Sequence, residues 1–292
     1  MQPLFNRVAV IGVGLLGGSL ALACKKRGIA STVVGYGRQL ERIREAQTIG
    51  IVDQATDNLK EAIEGADLVV LCTPVEDIPL KARELSIFLK PKSILTDVGS
   101  VKESIVTEIE KIIPAGRYFV GSHPIAGGEQ SGFEKSNSDL YQNALSIITP
   151  TKNTHTLALD QVTKLWERLG SEIIILEPEE HDLIYGSISH MPHAIAFALM
   201  NTLGAMQSKN HGDLLSFGGK GLLDYTRIAS SDPIMWRDIF LANRKHILNC
   251  LKSFQGIFDD LKENIEHGDG DKLQEIFKKS NGYREKLLRR KT

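Results

Sequence analysis

The 292-residue sequence has little of what marks extracellular, membrane or nucleic-acid-binding proteins. Its three cysteines, Cys24, Cys72 and Cys250, lie in separate apolar stretches without metal-ligand spacing, so we expect reduced core residues and no metal site. The net charge of −1 argues against a general nucleic-acid binder. No uninterrupted apolar run approaches membrane-spanning length, and the first residues do not resemble a signal peptide. We therefore expect a soluble, cytoplasmic protein that binds neither membrane nor nucleic acid.

A glycine-rich turn stands between a predicted strand and a predicted helix near the start of the chain. Arg7–Ile11 is short, apolar and β-branched, as in strands buried on both faces. Gly12, Gly14 and Gly17 follow with G-x-G-x-x-G spacing, before an apolar helical pattern that ends at Gly28. In dinucleotide-binding folds these glycines permit a tight turn, backbone approach to the pyrophosphate, and close helix–strand packing. The predicted cofactor contacts are Gly12, Val13, Gly14, Leu15, Leu16 and Gly17.

The end of the second predicted strand, Thr32–Tyr36, bears on the choice of cofactor. NAD-specific folds usually place an acidic residue there, where it binds the ribose 2′-hydroxyl. This chain has Gly37 and then Arg38, which could pair with a 2′-phosphate, stack on adenine, or simply begin a solvated helix. We expect NAD(P) as the cofactor, with a lean towards NADP and with dual use left open.

Strands and helices alternate as far as Leu176, which predicts a parallel sheet with helices on both faces. Asp67–Cys72 reads as a buried strand that Thr73 and Pro74 close at the edge where ligands bind, so both join the predicted cofactor site. The next strand leads into Asp97-Val98-Gly99-Ser100-Val101-Lys102. Ser100 is either the N-cap of the following helix or a functional residue.

A second glycine-rich stretch, Gly121–Gly132, follows the short predicted strand Tyr118–Val120. Three of its residue types, glycine, proline and histidine, indicate a loop rather than core. We expect the loop residue His123 to face the cofactor crevice, where an imidazole with an ordinary pKa of about 6.5 suits proton transfer.

Past Pro178 the pattern becomes helical. Glu179 to about Met206 predicts one long helix that carries His181, His190 and His193 and that Pro192 must distort. The last two histidines could form a metal pair, but no carboxylate or cysteine at suitable spacing completes a site. An anionic substrate or a proton relay explains them better.

The rest of the chain predicts a loop over 208–221, a long amphipathic helix over 234–265 and a final helix over 271–290. Lys220 and Arg227 are candidates for binding carboxylates, although Arg227 could instead pair with Asp224 or Asp232. Long apolar-striped helices need partners. We therefore predict a dinucleotide-binding domain over 1–177 and a helical substrate-binding domain over 178–292 that forms a homodimer.

With these stretches identified, the sequence resembles the prephenate/arogenate dehydrogenase family of tyrosine biosynthesis over nearly its whole length. The resemblance rests on the glycine-rich turn, on the stretches that contain Ser100 and His123, and on three helical segments: Ser189-His190-Met191-Pro192-His193-Ala194, Thr226-Arg227-Ile228-Ala229 and Ser231-Asp232-Pro233-Ile234-Met235-Trp236. It implies an α/β Rossmann-type dinucleotide-binding domain followed by an all-α dimerisation domain. It also implies oxidative decarboxylation of prephenate to 4-hydroxyphenylpyruvate or of arogenate to tyrosine.

The resemblance also assigns roles to individual residues. His123 would take the proton of the C4 hydroxyl, and Ser100 would help to hold that hydroxyl. Arg227 would bind a substrate carboxylate, and His193 would belong to the substrate pocket. Weaker substrate-binding roles fall to His181, His190 and Glu129.

The sequence departs from the family pattern in two respects, and two alternative functions stay open. Gly37-Arg38 replaces the acidic residue common in NAD-using members, and we see neither a fused chorismate mutase nor room for a C-terminal regulatory domain. Other hydroxyacid or imine dehydrogenases share the architecture, but they lack the His-Pro-Ile-Ala-Gly stretch. A non-catalytic nucleotide sensor would be expected to lose the base, whereas His123 and Arg227 are both present.

Overall fold

A computed structural model describes residues 2–128, 132–210 and 213–289. For residues 207–210 only the backbone is described. Over these residues the first part of the chain forms one eight-stranded sheet in the order β3-β2-β1-β4-β5-β6-β7-β8. Every neighbouring pair is parallel except β6 and β7. The strands are β1 Phe5–Ile11, β2 Ala30–Tyr36, β3 Gln54–Thr56, β4 Leu68–Leu71, β5 Ile94–Asp97, β6 Tyr118–Ile125, β7 Leu145–Thr149 and β8 Glu172–Ile175.

Helices cover both faces of this sheet, and a separate hydrophobic cluster lies on each face. Alternate residues of one strand serve opposite clusters: Val8 and Val10 pack on one face, and Ala9 and Ile11 on the other. This two-sided burial explains why β1 is an unbroken apolar run. The helices of this part are α1 Leu15–Lys26, α2 Leu40–Thr48, α3 Leu59–Ile63, α4 Asp77–Ser86, α5 Glu103–Ile112 and α6 Thr156–Arg168.

The remainder of the described chain is helical, in the order α7 Pro178–Tyr185, α8 Met191–Asn210, α9 Lys220–Thr226, α10 Pro233–Ala242, α11 Arg244–Glu266 and α12 Gly270–Arg289. By the density of contacts the chain forms two compact units, Met1–Arg244 and Lys245–Thr292. Trp236 and Ile239 of α10 belong to the same cluster as α4 and α5, so this helix is part of the first unit.

Several expectations from the sequence need correction. The sheet is not wholly parallel, and it includes the short strand β3, which the sequence pattern did not reveal. His123 lies inside β6, not in a loop, because antiparallel pairing with β7 extends the strand to Ile125. The helix predicted over 234–265 is two helices separated at Asn243, and part of the predicted loop 208–221 is helical.

The predicted helix of 179–206 is present with the expected distortion. A π-helical turn, Gly186–His190, separates α7 from α8 just before Pro192. Proline lacks the N–H that an α-helix uses and its ring crowds the preceding turn, so a wider turn accommodates it. By length and composition alone, Pro178–Met206 is long and apolar enough to cross a membrane (mean hydropathy 1.2). Only 22% of its most apolar window is buried by the described part of the chain, so most of this apolar surface is exposed.

Candidate active site

The glycine-rich turn forms the floor of a cleft at the carboxyl ends of β1, β2 and β4, with a volume of about 500 Å³. Six of the nine predicted cofactor residues line the cleft, namely Gly12, Val13, Gly14, Arg38, Thr73 and Pro74, whereas Leu15, Leu16 and Gly17 do not. In doubly wound sheets this edge is the place where a dinucleotide binds. The structure therefore brings these six residues together.

The glycines fit a dinucleotide for different reasons. Gly12 has φ +98°, and a Cβ on Gly17 would lie 2.1 Å from the Gly12 carbonyl oxygen, so both positions exclude a side chain. A Cβ on Gly14 would meet no atom within 4 Å, which leaves open space in front of the α1 N-terminus for a pyrophosphate. The Thr73 hydroxyl is buried and has no hydrogen-bond partner among the described residues, so a bound dinucleotide could satisfy it.

His123 is a half-buried residue of β6, the second strand beyond β4 in the sheet. Its Nδ1 lies 2.8 Å from Nε2 of His181, and the Nδ1 of His181 lies 2.7 Å from a carboxylate oxygen of Asp182. The ring of Tyr185 packs edge-on against the His123 ring. Strand β6 and helix α7 thus meet in a chain of two imidazoles and one carboxylate.

Asp182 sets the direction of the hydrogen bonds in this chain. Its two carboxylate oxygens accept the backbone N–H groups of Lys102 and Glu103, at 2.7 and 2.9 Å, and so cap the start of α5. An ionised Asp182 accepts from His181 Nδ1, which leaves His181 Nε2 to accept from His123 Nδ1. His123 is then left with an unprotonated Nε2, the atom a general base needs.

The surroundings of His123 keep it neutral. Burial lowers its pKa well below the ordinary value, and the nearby His181, Lys102 and His190 shift it in the same direction. Lys102 is wholly buried: its ammonium group pairs with Asp97 and donates to the carbonyl of Ser122 at 2.9 Å. The imidazole of His123 is therefore ready to accept a proton at neutral pH.

His190 is buried behind this chain rather than exposed to the cleft. The side-chain amide of Asn243 donates to His190 Nδ1 at 3.0 Å and to the carbonyl of Asp182 at 2.8 Å. Burial lowers the pKa of His190 to about 4. Asn243 lies at the break between α10 and α11, so this break fixes the position of the imidazole and of α7.

His193 lies one turn further along, on α8. Its Nδ1 donates to the carbonyl of Ser189 at 2.9 Å, and its ring stacks on Trp236 with centroids 3.6 Å apart. Burial lowers its pKa, and the positive charge of Arg227 lowers it further. Arg227, an exposed residue at the start of a short 3₁₀ helix, is thus electrostatically coupled to His193.

Comparison with known proteins fits this arrangement. The chain matches the model of the prephenate dehydrogenase nucleotide-binding domain over 20–175 and that of the prephenate dehydrogenase dimerisation domain over 177–279. The chain belongs to the prephenate dehydrogenase family. The family, the fold class and the oxidoreductase activity predicted from the sequence are thereby confirmed.

Individual members of the prephenate dehydrogenase family are similar over nearly all of this chain. It is 34% identical to a prephenate dehydrogenase of Bacillus subtilis over 100% of this chain and 79% of that protein. It is also 34% identical to a cyclohexadienyl dehydrogenase of Zymomonas mobilis, over 96% of this chain and 95% of the relative. A crystal structure of prephenate dehydrogenase from A. aeolicus, in complex with hydroxyphenyl propionate and NAD+, superposes with a TM-score of 0.91 at 38% identity, covering 97% of this chain and 98% of the other.

Ser100 is a predicted residue of this dehydrogenase that the structure does not join to the chain His123–His181–Asp182. Ser100 is half-buried between β5 and α5, and among the described residues it makes no hydrogen bond to His123. It is also not the cap of α5, because Asp182 fills that role. Glu129 lies outside the described residues.

Sequence reasoning missed the partners that hold the histidines. Asp182 follows His181 directly, and a histidine beside an aspartate is a weak signal of an oriented imidazole. Tyr185 lies one helical turn after His181 and stacks on it, with centroids 4.7 Å apart. Asn243 gave no local signal, because its contacts with α7 and with His190 are distant in sequence.

Proposed function

We propose that this dehydrogenase oxidatively decarboxylates prephenate to 4-hydroxyphenylpyruvate, arogenate to tyrosine, or both, with His123 as the general base. The chain His123–His181–Asp182 is the observation that supports this most strongly, since it leaves one imidazole nitrogen of His123 unprotonated, on a strand of the sheet that also forms the nucleotide cleft. The similarity to enzymes named prephenate and cyclohexadienyl dehydrogenase supports the choice of a cyclohexadienyl substrate.

The reaction removes a hydride from C4 and a proton from the hydroxyl group on C4. A bound nicotinamide supplies the hydride acceptor. His123 Nε2 takes the proton of the C4 hydroxyl as the hydride leaves C4, so the C–O bond gains double-bond character. The ring carboxylate then departs as carbon dioxide, and its bonding electrons complete the aromatic ring while the oxygen on C4 takes the proton back from His123 to give the phenol. Because aromatisation drives the step, the protein mainly supplies orientation and the proton acceptor.

The remaining residues hold the substrate or the base. We assign Arg227 to a substrate carboxylate, because a guanidinium forms bidentate, charge-assisted hydrogen bonds with that group. His193 presents Nε2, since its Nδ1 is engaged by Ser189. His181 and His190 act as positioning residues, because both are almost wholly buried. Ser100 and Glu129 remain candidates for substrate contact.

Replacing Arg227 with alanine is expected to raise KM about 10–100-fold with a smaller change in kcat, the effect of losing one charge-assisted contact. Steady-state kinetics at saturating cofactor measures both constants. Arg227→Lys, the matched control, keeps the charge but loses the planar geometry and should give an intermediate KM. A loss confined to kcat in the alanine variant would contradict simple carboxylate binding.

For the cofactor we propose NAD(P) with a lean towards NADP. Arg38 is exposed at the lip of the cleft, directly after Gly37, and it forms no ion pair within the described part of the chain. A guanidinium in that position suits a 2′-phosphate. The A. aeolicus relative was crystallised with NAD+, which supports NAD+ as one cofactor that this chain accepts.

One experiment tests the proposed function and both open choices. Initial rates are measured with prephenate or arogenate, each paired with NAD+ or NADP+. The proposal predicts reduced cofactor and carbon dioxide in equal amounts with at least one pair. No turnover with any of the four pairs would contradict it.

We further propose a cytoplasmic homodimer with a functional boundary between residues 177 and 178. The dimerisation-domain match begins at this point, and most of the apolar window in Pro178–Met206 is not covered by the described chain. Exposed apolar helix surface of this length requires a partner, which a second copy would supply.

Light scattering on the purified protein is expected to give about 64 kDa, twice the chain mass of 32.2 kDa. The value should persist on dilution through the micromolar range. A mass of one chain at all concentrations would remove the dimer from this account.

A further inference from the structure

An ion pair borders the nucleotide cleft near the end of β2, where dinucleotide-binding folds hold the adenosine ribose. Arg42 of α2 donates from Nη2 to the carboxylate of Glu134 at 2.5 Å, and its guanidinium carbon lies 4.5 Å from the centroid of the Phe133 ring. Arg42 and Phe133 both line the cleft. The pair thus joins the helix after β2 to the segment that follows the catalytic strand.

The Glu134 carboxylate lies against the backbone of Gly132. Gly132 has φ +98°, and a Cβ there would lie 2.5 Å from Oε2 of Glu134, so the carboxylate occupies the space that a side chain would need. The other oxygen, Oε1, meets Arg42. A second carboxylate, Glu45, pairs with the same guanidinium at 3.1 Å from the next turn of α2.

Two arginines at this side of the cleft, Arg38 and Arg42, are suitable partners for a 2′-phosphate. Gly37 cannot be replaced by an acidic residue without movement, because a Cβ would lie 2.5 Å from Cδ1 of Ile43. A phosphate monoester carries a charge of about −1.5 to −2 at neutral pH and favours guanidinium partners. Arg38 is one candidate, and Arg42, four residues later on the cleft wall, is the second.

We propose that Glu134 is a specificity-determining residue that opposes NADP by keeping Arg42 paired. In this proposal a 2′-phosphate competes with the Glu134 carboxylate for Arg42, whereas the 2′-hydroxyl of NAD requires no exchange. Arg38 favours the phosphate and Glu134 withholds the second guanidinium, so the balance between them sets the cofactor ratio. The inference rests on the proposed function to the extent that the cleft binds a nicotinamide dinucleotide.

Isothermal titration of the purified enzyme with NAD+ and NADP+, without substrate, tests the proposal directly. Glu134→Gln keeps the shape and removes the charge, and we expect it to tighten NADP+ binding about tenfold, the size of one charge-assisted hydrogen bond. Binding of NAD+ should change by less than about twofold, because the 2′-hydroxyl is uncharged. The matched control Glu45→Gln removes the same charge but leaves the Glu134 pair, so its effect should be smaller.

A double-variant cycle shows whether the effect passes through Arg42. In an Arg42→Ala background the Glu134→Gln change should no longer improve NADP+ binding. An unchanged ratio of NADP+ to NAD+ affinity in Glu134→Gln would overturn the proposal. An equal gain in the Arg42→Ala background would also overturn it, because Glu134 would then act by direct repulsion. Failure of the unaltered enzyme to bind either dinucleotide would contradict the proposed function itself.

Discussion

Replacing His123 with asparagine is expected to lower turnover by about 10²–10⁴, the usual contribution of a general base. Asparagine has a similar reach, and its amide N–H can still donate to His181 Nε2, which now receives the hydrogen bond of His123 Nδ1 at 2.8 Å. The variant therefore keeps the packing and loses only the basic nitrogen. Stopped-flow measurement of cofactor reduction separates this loss from slow product release.

A matched control is available in another histidine. The ring of His155 stacks on Tyr118 of β6, the strand that carries His123, at a centroid distance of 4.1 Å. We assign His155 no part in the reaction. His155→Asn should leave turnover within about twofold of the unaltered enzyme. Cofactor affinity should be nearly unchanged in both variants. Normal turnover in His123→Asn would reject the assignment of the base.

His181→Gln is expected to lower kcat/KM about 10–100-fold, as when a group that orients a reacting residue is lost. It should also change the pH profile. His181 contributes, after burial, to the lowered pKa of His123, so its removal raises that pKa. A raised pKa leaves the base protonated up to a higher pH, and the acid limb of the profile moves to higher pH.

The comparison of rates at low and neutral pH measures this shift. The deficit of His181→Gln should be larger at low pH than at neutral pH. His190 contributes less to the shift of the His123 pKa, so His190→Gln should move the limb less. If the rate falls equally at every pH, His181 supports packing alone and does not tune the base.

The sequence predicted the sheet well because the signals for its strands are local. β1 and β4 are short apolar runs with glycine or proline at their ends, and each ends where a ligand can bind. Strand β3 escaped prediction because Gln54–Thr56 is only three residues long and mostly polar. It joins the sheet through pairing with β2, which no local pattern indicates.

The position of His123 shows a second limit of prediction from local sequence patterns. Glycine and proline beside it favoured a loop, but the residues from Gly121 to Ile125 pair with Thr149 to Leu145 across the sheet. This pairing links residues at least twenty positions apart in the chain and overrides the local preference. A histidine on a strand is held more rigidly than a loop histidine, which suits a base that must be aligned with its substrate.

The histidines themselves were identified from the sequence, but their connections were not. That His123 and His181 share a hydrogen bond depends on the packing of α7 against β6 and α5. Asp182 anchors this packing by capping α5, a role that was one of the two interpretations of Ser100 in the sequence. The hydrogen-bonded chain His123–His181–Asp182 therefore depends on contacts between elements that are far apart in sequence.

The pH dependence of hydride transfer in the unaltered enzyme and in His123→Asn tests the assignment of the base most directly. Single-turnover rates at saturating substrate and cofactor report on the chemical step. We predict that the unaltered enzyme loses activity at low pH, as Nε2 of His123 becomes protonated, and that this acid limb is absent from the much slower variant. An acid limb of the same shape and position in His123→Asn would show that another group takes the proton.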